Sequence, residues 1–114
     1  MRNSRLLASA ILTLTLLIPA LSHGSSAVVA HVLTVGAYGI GNVYIALDQT
    51  IDEPGCAIAY VELPANGPAA KAVLATATLA VATGATITVK TDSCYNGSPS
   101  FSGARPAWFV VNKH

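Results

Sequence analysis

Hydrophobic and polar positions alternate along most of the chain after residue 27, and five short segments have the pattern of β-strands. These β-branched, apolar segments are VVAHVLTV, VYIAL, CAIAYVEL, ATITVKTD and PAWFVVN, at residues 28–35, 43–47, 56–63, 85–92 and 106–112. Between the third and fourth segments the spacing changes to that of a helix. It predicts one Ala-rich helix over residues 69–83, which begins after Asn66-Gly67-Pro68 and ends at Gly84.

The order of these elements predicts a fold that is mainly β with one helix. A three-stranded meander, a helix and two further strands (β-β-β-α-β-β) is the layout of an OB-fold-like five-stranded barrel. An open α+β sandwich with the same element order is the alternative. A long polar loop, SCYNGSPSFSG at residues 93–103, joins the last two predicted strands.

Residues 1–27 have the pattern of a secretory signal peptide. Arg2 and Arg5 precede an apolar run at residues 6–18, which is shorter than the roughly 20 residues that span a membrane. Pro19 and small residues follow, and they favour cleavage after Ser22, with cleavage after Ala27 as the second choice. We therefore expect residues 28–114 to form a single domain that is secreted or periplasmic, with no membrane span in the mature form. A retained membrane anchor is the alternative.

Charged residues make up only 10% of the chain, and the formal net charge is +1. This composition excludes intrinsic disorder, and the absence of clustered Lys and Arg argues against a nucleic-acid partner. Without Arg2 and Arg5, four basic and five acidic residues remain, which gives a net charge of −1. A mature chain of about 87 to 92 residues is marginally stable by itself, so it requires a covalent link or a partner.

The two cysteines, Cys56 and Cys94, predict that link. In an oxidising compartment such a pair is expected to form a disulfide. The alternatives are a metal site and a reactive thiol. Two cysteines without neighbouring His or Cys do not complete a zinc shell.

The stretch AKAVLATATLAVATGATITVKTDSC, residues 70–94, combines a helix, a glycine, an alternating strand and a cysteine. With the signal peptide and the single cysteine pair, it resembles small secreted bacterial OB-fold proteins related to the B subunits of one-A-five-B toxins, including the subtilase-cytotoxin type. The resemblance implies a ring of five subunits, helices around a central pore, and outer loops that bind host glycans. None of that family's site residues can be matched to this sequence.

The loop at residues 93–103 is the candidate ligand-binding surface. Tyr95 and Phe101 offer flat apolar rings and Asn96 and Ser98 offer hydrogen bonds, a combination that suits sugars. Tyr38, in the glycine-rich turn at residues 36–42, is a further candidate. The alternatives are a flexible loop without a ligand and a plain hairpin turn.

The predicted helix presents two different sides. The stripe expected to face the sheet consists of Ala70, Val73, Leu74, Ala77, Ala80 and Val81. The opposite side carries a single charge and is a candidate oligomer interface, formed by Lys71, Ala75, Leu79 and Ala82. The alternative is a moderately apolar helix that faces solvent.

Residues with the spacing of a catalytic or metal site are not found. The histidines are scattered, and Asp52 and Glu53 are adjacent in a loop rather than opposed across a cleft. We therefore expect no catalytic residues, no metal and no cofactor. The expected function is an exported, non-enzymatic binding module, toxin-B-subunit-like, homo-oligomeric and directed at a cell-surface glycan. The alternative is a structural subunit that docks an exported partner protein without binding sugar.

Overall fold

A computed structural model describes residues 25–57 and 60–113. Over these residues the fold is mainly β with one helix, as predicted. Five strands form one antiparallel sheet in the order β3-β2-β1-β4-β7, and a hairpin of two short strands, β5 and β6, lies apart from it. The elements are β1 (Val28–Tyr38), β2 (Asn42–Leu47), β3 (Tyr60–Leu63), α1 (Ala70–Thr83), β4 (Thr86–Lys90), β5 (Ser93–Tyr95), β6 (Ser98–Ser100) and β7 (Trp108–Val111).

The long strand β1 joins the two halves of the sheet. Its first residues, 28–31, pair with β4, and residues 32–38 pair with β2. The register shifts between Val32 and Thr34, so Leu33 forms a bulge and is exposed. A bulge bends the strand and increases its twist, which lets one strand serve two neighbours.

Helix α1 covers the inner face of the sheet. It buries Ala70, Val73, Ala77 and Ala80, and it ends at Gly84, whose φ of 77° is the left-handed conformation that glycine adopts readily. The predicted helix is therefore confirmed to within one residue. Beneath it lies the core of the sheet, in which the most completely buried apolar side chains are Ile45, Val61, Leu63, Ile87 and Val89.

The sheet is not closed into a barrel, which corrects the closed form of the prediction. Strands β3 and β7 are its two edges, and no hydrogen-bonded pairing joins them among residues 25–57 and 60–113. The predicted loop at residues 93–103 instead contains the β5–β6 hairpin, and β6 packs against β3. The Asn96-Gly97 pair at its turn has positive φ at both positions, which the tight turn of a two-residue hairpin requires.

Two further details of the strands differ from the prediction. The third strand was expected over residues 56–63, whereas β3 begins at Tyr60, and residues 58 and 59 lie outside the described part. Trp108, which the sequence predicts in the core as a large aromatic residue of the last strand, is 40% exposed, because Phe109 and Val111 take the inward positions of β7. Successive strand residues point to opposite faces, so these two place Trp108 outside.

The predicted disulfide is confirmed. Cys56 and Cys94 are bonded, with their Cα atoms 5.6 Å apart and a sequence separation of 38. The bond connects the segment before β3 to β5. Among the residues that the structure describes, none of the helices has the length and apolar character needed to cross a membrane.

Residues 1–24 of the predicted signal peptide lie outside the described part of the chain, and residues 25–27 lie within it. Ser25 is buried, and its hydroxyl donates to the Thr91 carbonyl at 3.0 Å, while the Lys90 ammonium donates to the Ser25 carbonyl at 2.9 Å. Cleavage after Ser22 would keep these contacts, and cleavage after Ala27 would remove them.

Candidate functional site

Three tyrosines meet on the outer face of the sheet, on the side away from α1. Tyr38, Tyr44 and Tyr60 lie on β1, β2 and β3, and with Ala46 they line an open depression of about 350 Å³. Strand register brings them together, since Tyr44 lies opposite Gly36 on one side and Glu62 on the other. We call this depression the tyrosine groove.

The rings of the tyrosine groove are arranged edge to face. The centroids of Tyr38 and Tyr44 are 6.1 Å apart with their planes at 65°, and those of Tyr44 and Tyr60 are 6.2 Å apart at 69°. Gly36 makes room for the central ring, because a Cβ atom there would lie 3.1 Å from Tyr44 Cε1. The groove therefore presents ring faces and ring edges in several directions to one ligand.

A buried carboxylate lies beside these rings. Glu62 is only 2% exposed, and it accepts hydrogen bonds from the Tyr38 hydroxyl and, at 3.0 Å, from the Asn96 side-chain amide. The hydrogen bond to Glu62 raises the pKa of Tyr38 above its ordinary value, since losing the phenolic proton would place two negative charges together. The phenol is thereby held as a donor to Glu62.

The structure divides the predicted ligand residues between two places: Tyr38 and Asn96 lie beside the tyrosine groove, and Tyr95 and Phe101 line a second depression. Tyr38 and Asn96, from different predicted surfaces, meet at Glu62. Tyr95 instead lines a second depression of about 270 Å³, with Pro64, Pro68 and Cys94 among its neighbours.

Two predicted ligand residues are buried, which corrects their expected exposure. Ser98 is fully buried on β6, which packs against β3. Phe101 is 9% exposed and packs edge to face on Phe109, with the ring centroids 6.3 Å apart. Burial removes the apolar surface of the Phe101 ring from water, which stabilises the fold.

Tyr44, Tyr60 and Glu62 were not among the predicted site residues. The alternation in VYIAL and CAIAYVEL does place each of them on one face of its strand. A lone Glu in an apolar strand was a further signal, because a buried carboxylate requires partners. The alternation does not specify the strand register, and it is the register that places these side chains beside Tyr38.

The candidate oligomer interface on the helix is exposed. Lys71, Ala75, Leu79 and Ala82 all face away from the sheet, and Leu79 is 51% exposed. Val81 was expected to face the sheet but is 39% exposed, because it lies at the margin of the buried stripe. Within residues 25–57 and 60–113, this apolar helix side therefore has no covering element.

In a second polar cluster, which we call the Arg105 corner, the charged side chains bond to other groups of the same cluster. The Arg105 guanidinium donates to Glu53 Oε2 at 2.7 Å and to the Asp92 carbonyl oxygen at 2.6 Å, and the Thr91 hydroxyl donates to Glu53 Oε1 at 2.6 Å. Glu53 is 5% exposed. These bonds connect the segment before Cys56 to the chain after β6.

Asp92 organises the loop of the Arg105 corner. Burial acts to raise its pKa, but hydrogen bonds from the Ser102 N–H, the Ser93 hydroxyl and the Arg105 and Gly103 N–H groups outweigh burial and lower the pKa to about 2. Each donor favours the ionised carboxylate. The side chain therefore serves as an acceptor for backbone groups and is not free to bind a ligand.

Groups of three or more His, Cys, Asp or Glu side chains that could hold a metal ion do not occur among residues 25–57 and 60–113. The groove offers different chemistry: aromatic faces for stacking and phenolic hydroxyls for hydrogen bonds, with the Glu62 carboxylate beside Tyr38. These features suit reversible binding.

No protein-family model matches the chain, and neither a curated protein nor a solved structure matches it. The tyrosine groove and its buried glutamate are therefore the observations from which a function is inferred.

Proposed function

We propose that the chain is an exported, non-enzymatic binding module with an OB-fold-like arrangement, and that it binds a glycan in the tyrosine groove. The observation that carries this proposal is the set of three tyrosine rings around an open depression of about 350 Å³, with polar side chains at its margin. Pockets for small ligands combine apolar walls with a few placed polar groups.

Sugars fit this surface by their own chemistry. The C–H faces of a sugar ring pack on aromatic rings, and its hydroxyls exchange hydrogen bonds with phenols and amides. Tyr38 is 45% exposed and Tyr60 is 36% exposed, so both rings are accessible. Asn42 lies opposite Tyr38 in the strand register and adds an amide at the same margin.

The position of the groove supports the OB-fold-like arrangement. Strand β1 pairs with both β2 and β4, and the helix lies between β3 and β4 in the chain. OB-folds bind ligands on the face of their second and third strands and at the loops after the first and fourth. The groove uses β2 and β3, and Asn96 comes from the segment after β4. The disulfide is compatible with an extracellular or periplasmic location.

Self-association would raise the strength of such binding. A single open groove gives weak affinity, whereas several copies in one assembly bind a cell surface by avidity. The uncovered helix side with Leu79 is the surface that we assign to contact between copies. A toxin-B-subunit-like role requires both properties.

Glycan binding by two tyrosine variants tests the proposal. We expect Tyr60→Ala to weaken binding to a glycan array by about five- to tenfold, which is the contribution of one aromatic contact. Tyr95→Ala is the matched control, because it removes a tyrosine from the second depression and leaves the groove intact. Circular dichroism establishes that both variants are folded.

Two outcomes would contradict the proposal. Loss of binding in Tyr95→Ala with full binding in Tyr60→Ala would move the site to the second depression. Failure of the native protein to bind any neutral, acidic or basic glycan on the array would remove the glycan function.

A second candidate function is docking of an exported partner protein on the helix side. The specific observation is that Leu79 is 51% exposed on a helix side that it shares with two alanines and a single charge, Lys71. Contiguous exposed apolar surface marks interaction sites. Co-purification of one defined exported protein, lost in Leu79→Glu and retained in Tyr60→Ala, would favour this candidate.

A further inference from the structure

Among the residues that the structure describes, the glutamate beside the tyrosine groove has only uncharged partners. Glu62 is 2% exposed, and there it accepts hydrogen bonds from a phenol, Tyr38, and an amide, Asn96. Buried charges in proteins are normally paired with an opposite charge or bound to a metal. Two neutral donors stabilise the carboxylate without cancelling its charge.

The cations of the described chain are engaged elsewhere or lie too far away. Among residues 25–57 and 60–113, Arg105 pairs with Glu53, the His31 ring lies 3.0 Å from Asp48, and no basic side chain lies within 4.0 Å of the Glu62 carboxylate. Lys90 donates to the carbonyl of Ser25. The described side chains therefore leave the Glu62 carboxylate, which lies beside Tyr38 at the edge of the groove, without a cationic partner.

The tyrosine rings add to the negative electrostatic potential in the groove. The face of an aromatic ring is negative and attracts a cation placed within about 6 Å of its centroid. In the groove, Tyr44 stands between Tyr38 and Tyr60 at steep angles of 65° and 69°, so differently oriented rings border one depression. Rings at steep angles around a small volume, with a carboxylate beside them, form a site for an ammonium group.

We infer that the tyrosine groove selects a positively charged ligand group, the protonated amine of an amino sugar, over neutral and acidic sugars. This inference rests on the proposed glycan-binding function and specifies the ligand class. The amine packs among the tyrosine rings, and Glu62 supplies the opposite charge. An acidic sugar would place a second negative charge beside a buried one and is excluded by repulsion.

A matched pair of glycans tests the inference. The trimer of glucosamine and the trimer of N-acetylglucosamine have the same sugar rings, and they differ in whether the nitrogen is charged. Calorimetry with the oxidised, exported protein at about pH 6, where an alkyl amine is protonated, is expected to give at least about tenfold tighter binding of the amine form. Choline and its neutral isostere, in which carbon replaces nitrogen, are compared in the same way without a sugar.

Two variants identify the source of the preference. Glu62→Gln keeps an oxygen acceptor for the Tyr38 hydroxyl and removes the charge, so we expect the amine preference to fall about tenfold. Asp52→Asn is the control, since it changes the net charge equally at an exposed loop position whose side-chain oxygen accepts from the Ser26 N–H. It should leave the preference unchanged.

The outcomes separate this inference from the proposed function. Equal binding of the two trimers by the native protein would overturn the charge preference and leave glycan binding intact, and this test holds even if Glu62→Gln does not fold. Binding of choline but of no glycan would support the cation site and overturn the glycan function. Binding of none of the four compounds would overturn both.

Discussion

Two buried glutamates lie in different surroundings in this small fold. Glu53, in the Arg105 corner, is paired with a guanidinium at 2.7 Å and a hydroxyl at 2.6 Å. Glu62, beside the tyrosine groove, has a phenol and an amide as partners but no cation from the described part of the chain. The comparison indicates that the first carboxylate is satisfied by the protein and holds loops together. The second leaves a negative charge next to an open, aromatic-lined surface, which is a reason to assign binding to the groove.

The largest expected effect on stability comes from the disulfide beside the Arg105 corner, which joins the segment after Glu53 to the segment after Asp92. Replacing both Cys56 and Cys94 by Ala removes a covalent link between residues that are 38 apart in sequence. This double substitution should lower the free energy of unfolding by about 3–4 kcal/mol. Urea unfolding followed by circular dichroism measures it. A loss below about 1 kcal/mol would show that the corner is held by its hydrogen bonds without the covalent link.

A pair of identical substitutions tests the two glutamates directly. Glu53→Gln removes the charge that pairs with Arg105, and we expect a loss of about 2–3 kcal/mol in the free energy of unfolding. Glu62→Gln removes a charge that has no ion-pair partner among the described residues, and we expect a change within about 1 kcal/mol of the native protein. Urea denaturation of both variants shows which of them loses more free energy of unfolding. The reverse order would contradict the assignment of the first to structure and the second to binding.

Acid should weaken the Arg105 corner through Asp92. Its pKa is lowered from 3.8 to about 2 in the folded protein, so its contribution to stability is complete above pH about 4 and disappears as the pH falls towards 2. Asp92→Asn should show a smaller fall in stability over that range, from a lower starting value. Thermal unfolding at a series of pH values measures the difference. Identical pH profiles for the two proteins would remove Asp92 from this role.

The smallest effect on stability is expected on the helix side. Leu79→Glu places a charge on an exposed position, so the free energy of unfolding should change by less than about 0.5 kcal/mol. If this side joins copies of the chain, light scattering after gel filtration will show a mass that falls to that of the single chain in the variant. A native mass already equal to one chain would confine binding to the groove of a monomer.

Local patterns were sufficient to predict the five strands of the sheet, the helix and the disulfide. The helix ends at Gly84 as predicted because a left-handed residue stops it there, and alternation marks strands wherever one face is buried. The Asn-Gly turn of the β5–β6 hairpin was also a local signal, although the sequence interpretation treated that segment as a loop.

The site depends on contacts between distant residues, so the pattern alone did not reveal it. Tyr38 and Glu62 are 24 residues apart, and Glu62 and Asn96 are 34 apart. Strand register determines which side chains become neighbours, and register is specified by the whole packed sheet. The burial of Phe101 has the same origin, because its ring packs on Phe109 of β7, which only the assembled strands bring close to it.

The most direct test of the account is an NMR titration of the isotope-labelled protein with the glucosamine trimer. We expect saturable chemical-shift changes at Tyr38, Tyr44, Tyr60 and Asn96, and none at Ser102 or Arg105. Glu62→Gln should reduce these changes at the same ligand concentration. Saturable changes confined to the Arg105 corner or to helix α1, with the tyrosine groove unaffected, would contradict the claim that the unpaired glutamate marks the binding site.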